Sequence, residues 1–264
     1  MDIITAFEAV AAATAMALAF LTILPMPQVE WTPARLRYFP LVLPLVGLVL
    51  GLLTSATFAL LLRWKAAVFL RAVLLALGCL AVTGGLHMDG LMDACDAFFS
   101  RKDRESRLAI LSDTHVGAFA VMGCASVLLL KTGIFVELLT DPSASGTTFL
   151  TAALTLIPVY SRTGMGLLFY LPFAREDGLA RMLGGARLPR DRRFLLAAYF
   201  LSSAAFLPLL GSRWLIIPLT GGLFFLVYRL FCLRIFGGIS GDLMGAFAEL
   251  SETLMLLAAA AMKG

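Results

Sequence analysis

Long apolar runs separated by short charged connections set the pattern of this chain, and no stretch alternates apolar and polar residues with a period of two. Eight runs reach the length that a helix needs to cross a hydrocarbon core: roughly 3–24, 40–62, 66–86, 116–139, 149–171, 194–210, 214–236 and 243–261. The first is the weakest, because Glu8 interrupts it and Asp2 precedes it; it either crosses or lies along the interface. No Lys or Arg precedes it, so it lacks the charged start of a cleaved signal peptide. The pattern predicts an all-α, polytopic membrane protein with seven to eight transmembrane helices in one bundle. The missing period-two pattern argues against a β-barrel. Neither an internal repeat nor a low-complexity linker divides the chain, so residues 1–264 read as a single integral membrane domain.

Composition agrees. Sixty per cent of the residues are hydrophobic and 14% charged, with a mean hydropathy of +0.93, which excludes an ordinary soluble domain. The net charge of +4 calls for no nucleic-acid partner, because the cations sort by connection. Arg35, Arg37, Arg101, Lys102, Arg104, Arg107, the six arginines of 172–193, Arg229 and Arg234 fall on one side of the predicted membrane. Only Arg63, Lys65, Arg213 and Lys263 fall on the other, and the 141–148 turn carries no cation. The positive-inside rule then puts the richer set in the cytoplasm. Cys79, Cys95, Cys124 and Cys232 have no paired spacing, and with two histidines they make no zinc set.

Against this apolar background, residues 84–117 are dense in acid: Asp89, Asp93, Asp96, Asp103, Glu105 and Asp113. Asp89, Asp93 and Asp96 stand at i, i+4 and i+7, so a helix presents all three on one face. Like charges repel, and a divalent cation bridging to phosphate oxygens is the simplest reason to keep them together. Apolar neighbours such as Leu86, Met88, Leu91 and Met92 argue that this is no merely solvated face. His87 lies beside the first acid, and Asp113 can return a fourth carboxylate towards the three. The run SRKDRESR (100–107), with alternating signs, reads as exposed surface.

Deeper in the apolar runs stand Arg162, about 13 Å from its helix end at the helical rise, and Lys131. Arg162 reads as a phosphate clamp or the partner of an acid. Lys131 either snorkels or joins the site. The 172–193 segment sets arginines, Arg175 among them, beside Gly178, Gly184 and Gly185, which suits a polyanion. Asp242 opens the last run as a helix cap or a site residue, with Glu249 and Glu252 following on the same helix.

These residues resemble the cobalamin synthase family along nearly the whole chain. FPLVLPLVGLVLG (39–51), GGLHMDGLMDACDAFFS with DRESRLAILSDTHVGAFAV, Ser161-Arg162, AREDGLA (174–180) and GGISGDLMGAFAEL (237–250) are similar to its motifs. The chain departs at Ile23, where an arginine is usual, at Asp113-Thr114-His115 in place of Asp-Ser-Arg, at Ala97 for Gly and at Ser240 for Thr. The resemblance implies a transferase in cobalamin (vitamin B12) biosynthesis. It would join adenosylcobinamide-GDP to α-ribazole or its 5′-phosphate, release GMP and use Mg²⁺ at the cytoplasmic face of a prokaryotic inner membrane. On it, Asp89, Asp93 and Asp96 bind metal, and Asp113 is a further ligand or the general base, with His87 the alternative base. Asp242 supports the metal or orients the nucleophile; Arg162, Arg175 and Lys131 contact phosphate. Partners would be these substrates and the bilayer, with a homo-oligomer open. A CDP-alcohol phosphotransferase shares the logic, but its Asp-Gly-x-x-Ala-Arg signature is absent, since Asp89-Gly90 is followed by Leu91-Met92-Asp93. A transporter would use the deep charges but commonly shows paired halves, which this chain lacks.

Overall fold

A computed structural model describes residues 3–140 and 144–262; Asp2, the start of the 141–148 turn and Lys263 lie outside them. Among the described residues the secondary structure is helical. The elements are α1 (Ile3–Leu21), α2 (Pro33–Leu36), α3 (Phe39–Arg63), α4 (Val68–Val82), α5 (Leu86–Phe99), α6 (Arg104–Ile110) and α7 (Ala118–Leu139). They continue with α8 (Ala144–Leu168), α9 (Leu179–Gly184), α10 (Arg192–Ala205), α11 (Leu207–Leu210), α12 (Ile216–Phe231) and α13 (Gly241–Ala261). Among the described residues the one extended pairing is an isolated bridge between Phe173 and Ile239.

Among the described residues, five helical stretches are long and apolar enough to cross a membrane: 39–63, 118–139, 189–210, 212–236 and 241–261. A sixth arises if α4 and α5, which meet at 90°, count as one broken span. This corrects the expected seven to eight. In α1 the apolar stretch is short (Phe7–Leu21). In α8 the length suffices, but its threonines, Ser161 and Arg162 lower its apolar character. That helix is sheltered by protein instead. Gly47 and Gly51 of α3 face the backbone of Pro158 and Thr155, where any Cβ would overlap it, and Ser55 Oγ meets Thr155 Oγ1 at 2.8 Å. Small residues at such a crossing let two helices approach to backbone contact.

Helix α13 is the axis: two thirds of its apolar window (67%) is buried, against 11% for the 189–210 span at the periphery. Two apolar cores stack along it. One gathers Phe39, Leu43, Met88, Leu91, Met165, Phe169 and Phe247. The other gathers Phe58, Leu75, Phe135, Ile157, Trp214 and Met255.

Between them runs a polar layer. Lys131 (α7) donates to Glu249 at 2.5 Å and lies 3.8 Å from Glu252. Arg162 (α8) pairs with Glu252 and donates to Ser161 Oγ at 3.1 Å. Ser251 Oγ reaches Ser161 Oγ at 3.1 Å, and Thr54 and Cys79 meet at 3.9 Å at the edge. Lys131 and Arg162 are 3% and 2% exposed, and Glu249 and Glu252 balance their charge inside the bundle. A charge sealed in the interior is tolerated only when paired and hydrogen-bonded.

Removing one member leaves its partner uncompensated. Lys131→Met is expected to destabilise the protein by about 3–5 kcal/mol, and Lys131→Met with Glu249→Gln to recover much of that loss, read as thermal unfolding in detergent. A bulky residue at the α3–α8 crossing, as in Gly51→Val, is expected to lower the unfolding midpoint in the same assay by forcing the two backbones apart.

Candidate active site

The acids meet where α5 crosses the start of α13. Gly84 and Gly85 take positive φ (61° and 77°), a turn that side chains resist, and this makes the sharp bend out of α4. Two further glycines set the crossing. A Cβ on Gly90 would lie 2.7 Å from the Asp242 carbonyl oxygen, and one on Gly245 would lie 3.1 Å from that of His87. Asp89 and Asp93 of α5 are thereby carried beside Asp242 of α13.

The cap of α13 is Ser240, not Asp242: Ser240 Oγ accepts from Leu243 N at 3.2 Å. Asp242 sits in the first turn, favoured by the helix dipole, and accepts from Ser240 Oγ at 3.4 Å.

Asp93 is half-buried, and its charged neighbours are Asp89, Asp242 and Asp96, all of like sign. The nearby cation is Arg175, an electrostatic neighbour of Asp242. Backbone pairing puts it there: Ala174 N donates to Ile239 O at 2.8 Å and Ile239 N to Pro172 O at 2.9 Å. The two strands of that bridge touch because residue 238 is glycine, where a Cβ would stand 2.5 Å from Pro172 O. Arg175 also lies 3.5 Å from the exposed Asp177.

Other predicted site residues go elsewhere. Both oxygens of Asp96 are engaged, accepting from Gly117 N at 2.7 Å and Ala120 N at 2.9 Å, so this carboxylate holds the first turn of α7. Gly117 is the matching residue that the sequence did not reveal; a Cβ there would strike the carboxylate. Asp113 does not come back to the cluster. It is exposed and bonded to His115 Nδ1 at 2.6 Å and His115 N at 3.0 Å, bonds that hold its carboxyl below the usual range. Lys131 and Arg162 face Glu249 and Glu252 in the polar layer. The signal for that pairing was present in the sequence: two deep cations, and two acids at i and i+3 on a single helix.

His87 is 2% exposed, and its Nε2 has no hydrogen-bond partner. It lines a cavity of about 100 Å³ that runs from Asp89 and Asp242 inward between α1, α3, α8 and α9. Among the described residues, no three His, Cys, Asp or Glu side chains are gathered closely enough to hold a metal ion by themselves.

A family model described as Cobalamin-5-phosphate synthase matches residues 13–260. Among curated relatives named adenosylcobinamide-GDP ribazoletransferase, that of Clostridium perfringens (strain SM101 / Type A) is 32% identical over 90% of this chain and 92% of its own. That of Desulfitobacterium hafniense (strain Y51) is 36% identical over 92% and 94%, and that of Halalkalibacterium halodurans is 37% identical over 91% and 92%. No solved structure matches the chain. A match spanning nearly every helix, with the acids of α5 and α13 inside it, leaves no room for the phosphotransferase or transporter readings: the chain belongs to the cobalamin-5-phosphate synthase family.

Proposed function

We propose that this protein joins adenosylcobinamide-GDP to α-ribazole or its 5′-phosphate, closing the nucleotide loop of cobalamin and releasing GMP. The observation that carries the reading is the unneutralised set Asp89, Asp93 and Asp242 at the α5–α13 crossing, with Arg175 beside it. In the reaction a ribose hydroxyl oxygen forms a new bond to the phosphorus on the corrinoid side chain. The pyrophosphate P–O bond breaks, GMP leaves with that electron pair, and the hydroxyl proton passes to a base.

The carboxylates suit Mg²⁺, a hard cation that binds through one or two carboxylates plus substrate phosphates and so needs no ready-made protein cage. Asp89 and Asp93 would hold it, and it would offset the charge of the pyrophosphate and the departing GMP. Asp242, oriented by Ser240, takes the proton of the attacking hydroxyl. Arg175 grips a phosphate through charge-assisted hydrogen bonds, and the amino end of α13 adds its dipole. Asp96 serves by fixing α7 against α5. The arginine-rich connections on the site's side of the bundle support a cytoplasmic orientation in the inner membrane.

The test is GMP release by protein in nanodiscs, supplied with both substrates and Mg²⁺. Release should require the nucleoside, stop with EDTA and return with Mg²⁺. Asp242→Asn is expected to lower kcat by about 10²–10⁴-fold, the range for a lost general base. Asp93→Ala should abolish the Mg²⁺-dependent rate, whereas Asp113→Asn should turn over near the parent rate. Asp96→Ala should also lower the unfolding midpoint, since a helix cap contributes about 0.5–2 kcal/mol. Nucleoside-independent release, or full activity of Asp242→Asn, would sink the assignment.

A further inference from the structure

Asp89 and Asp93 share one face of α5, and Leu91, Ala94 and Phe98 stand on the opposite one. That second face borders a groove of about 700 Å³ between α5, α7, α12 and α13. Its lining is almost wholly apolar, and it opens outward, with Phe119, Met122 and Val227 exposed along it. Aromatic contacts tie together its end on the site's side. Phe98 meets Phe231 edge to face at 5.1 Å, and Phe99 meets Phe119 at 5.5 Å.

Depth and charge select what fills it. From Phe119 to Val127 the wall of α7 rises about 12 Å, within the half-thickness of a hydrocarbon core about 30 Å thick. The groove therefore belongs to one leaflet and ends at its polar boundary. Cations gather at that boundary. The Arg107 guanidinium carbon lies 6.0 Å from the centre of the Phe98 ring, and its Nε is sealed without a hydrogen-bond partner. Arg104 rests on Gly237, which follows Phe236, a ring in contact with Phe231. Among the described residues neither arginine pairs with an acid. Asp103, which caps α6 through Ser106 N at 3.0 Å, and Glu105 are outnumbered there by Arg101, Lys102, Arg104 and Arg107. A second copy of this chain in the same bilayer would bring the same cationic connection to the same level, where like charges oppose docking. An acyl chain meets the apolar walls, and a negative headgroup meets the arginines.

We infer that this groove binds an anionic phospholipid, with an acyl chain between α7 and α12 and its phosphate held by Arg107 and Arg104. The lipid backs the helix that carries Asp89 and Asp93 from the side away from the site. This inference does not depend on the proposed reaction, and its test uses no substrate.

The full chain is placed in nanodiscs of equal phosphatidylcholine and phosphatidylglycerol, released into mild detergent and weighed with its retained lipid by native mass spectrometry. The parent is expected to keep a phospholipid, with phosphatidylglycerol favoured roughly tenfold or more. Arg107→Gln and Arg104→Gln should each lower that preference about fivefold, and added salt should lower it in the parent. Ser126→Trp on α7 and Val227→Trp on α12 fill the groove from positions exposed in the bundle, so the fold should survive them. Both should lose the lipid, whereas Leu129→Trp, exposed on α7 outside the groove, should keep it. Equal retention of the two lipids by the parent would overturn the inference, as would folded Ser126→Trp and Val227→Trp that keep phosphatidylglycerol like the parent. A parent dimer that both substitutions split into monomers would overturn it too, and would give the groove to a second copy.

Discussion

Two cations and two anions paired inside an apolar bundle constrain everything around them. Lys131, Arg162, Glu249 and Glu252 come from three helices and can be buried only if α7, α8 and α13 meet at one level and in one rotation. An apolar core of this size tolerates sliding of one helix along another, since leucine packs acceptably against many neighbours. A charge without its partner does not. The layer therefore sets the register of α13, and because the Asp242 end of that helix forms half of the candidate site, it sets the height at which the acids meet.

The site then follows from backbone contacts more than from side-chain packing. Glycine at 90 and 245 brings α5 and α13 together, and glycine at 238 brings the arginine-bearing segment against the entry to α13. Each approach places a charged residue: Asp89 and Asp93, Asp242, and Arg175. The result is a one-sided distribution, with anions crowded at the crossing and the cation held at its edge. Such a surface is poised for a phosphate-bearing ligand that arrives with its own counter-charge.

Much of this was legible in the sequence. The apolar runs placed the long helices, and the i, i+4, i+7 spacing put three aspartates on one face of α5. The runs overstated how many helices are apolar enough to cross, because a count of hydrophobic residues weighs α8 by its flanks and not by Arg162 and its threonines. The division of labour among the acids was not legible either. Whether Asp96 faces a ligand or the first turn of α7 depends on a contact with Gly117, 21 residues away, that no local period encodes. Asp113 failed to return for the opposite reason, since a neighbouring histidine satisfies it locally. The cavity beside His87 draws its walls from six separate stretches, and only the tertiary fold assembles it.

The polar layer has one more consequence, for biogenesis. A chain emerges from the ribosome with its amino end first, so α7 and α8 deliver Lys131 and Arg162 to the membrane before α13 delivers their acids. Until then each cation must be kept wet or sheltered, because an unpaired charge at that depth is costly in lipid. Insertion of this bundle thus ends with a neutralisation step, in which the arrival of α13 locks the two waiting helices and completes the active site in the same event.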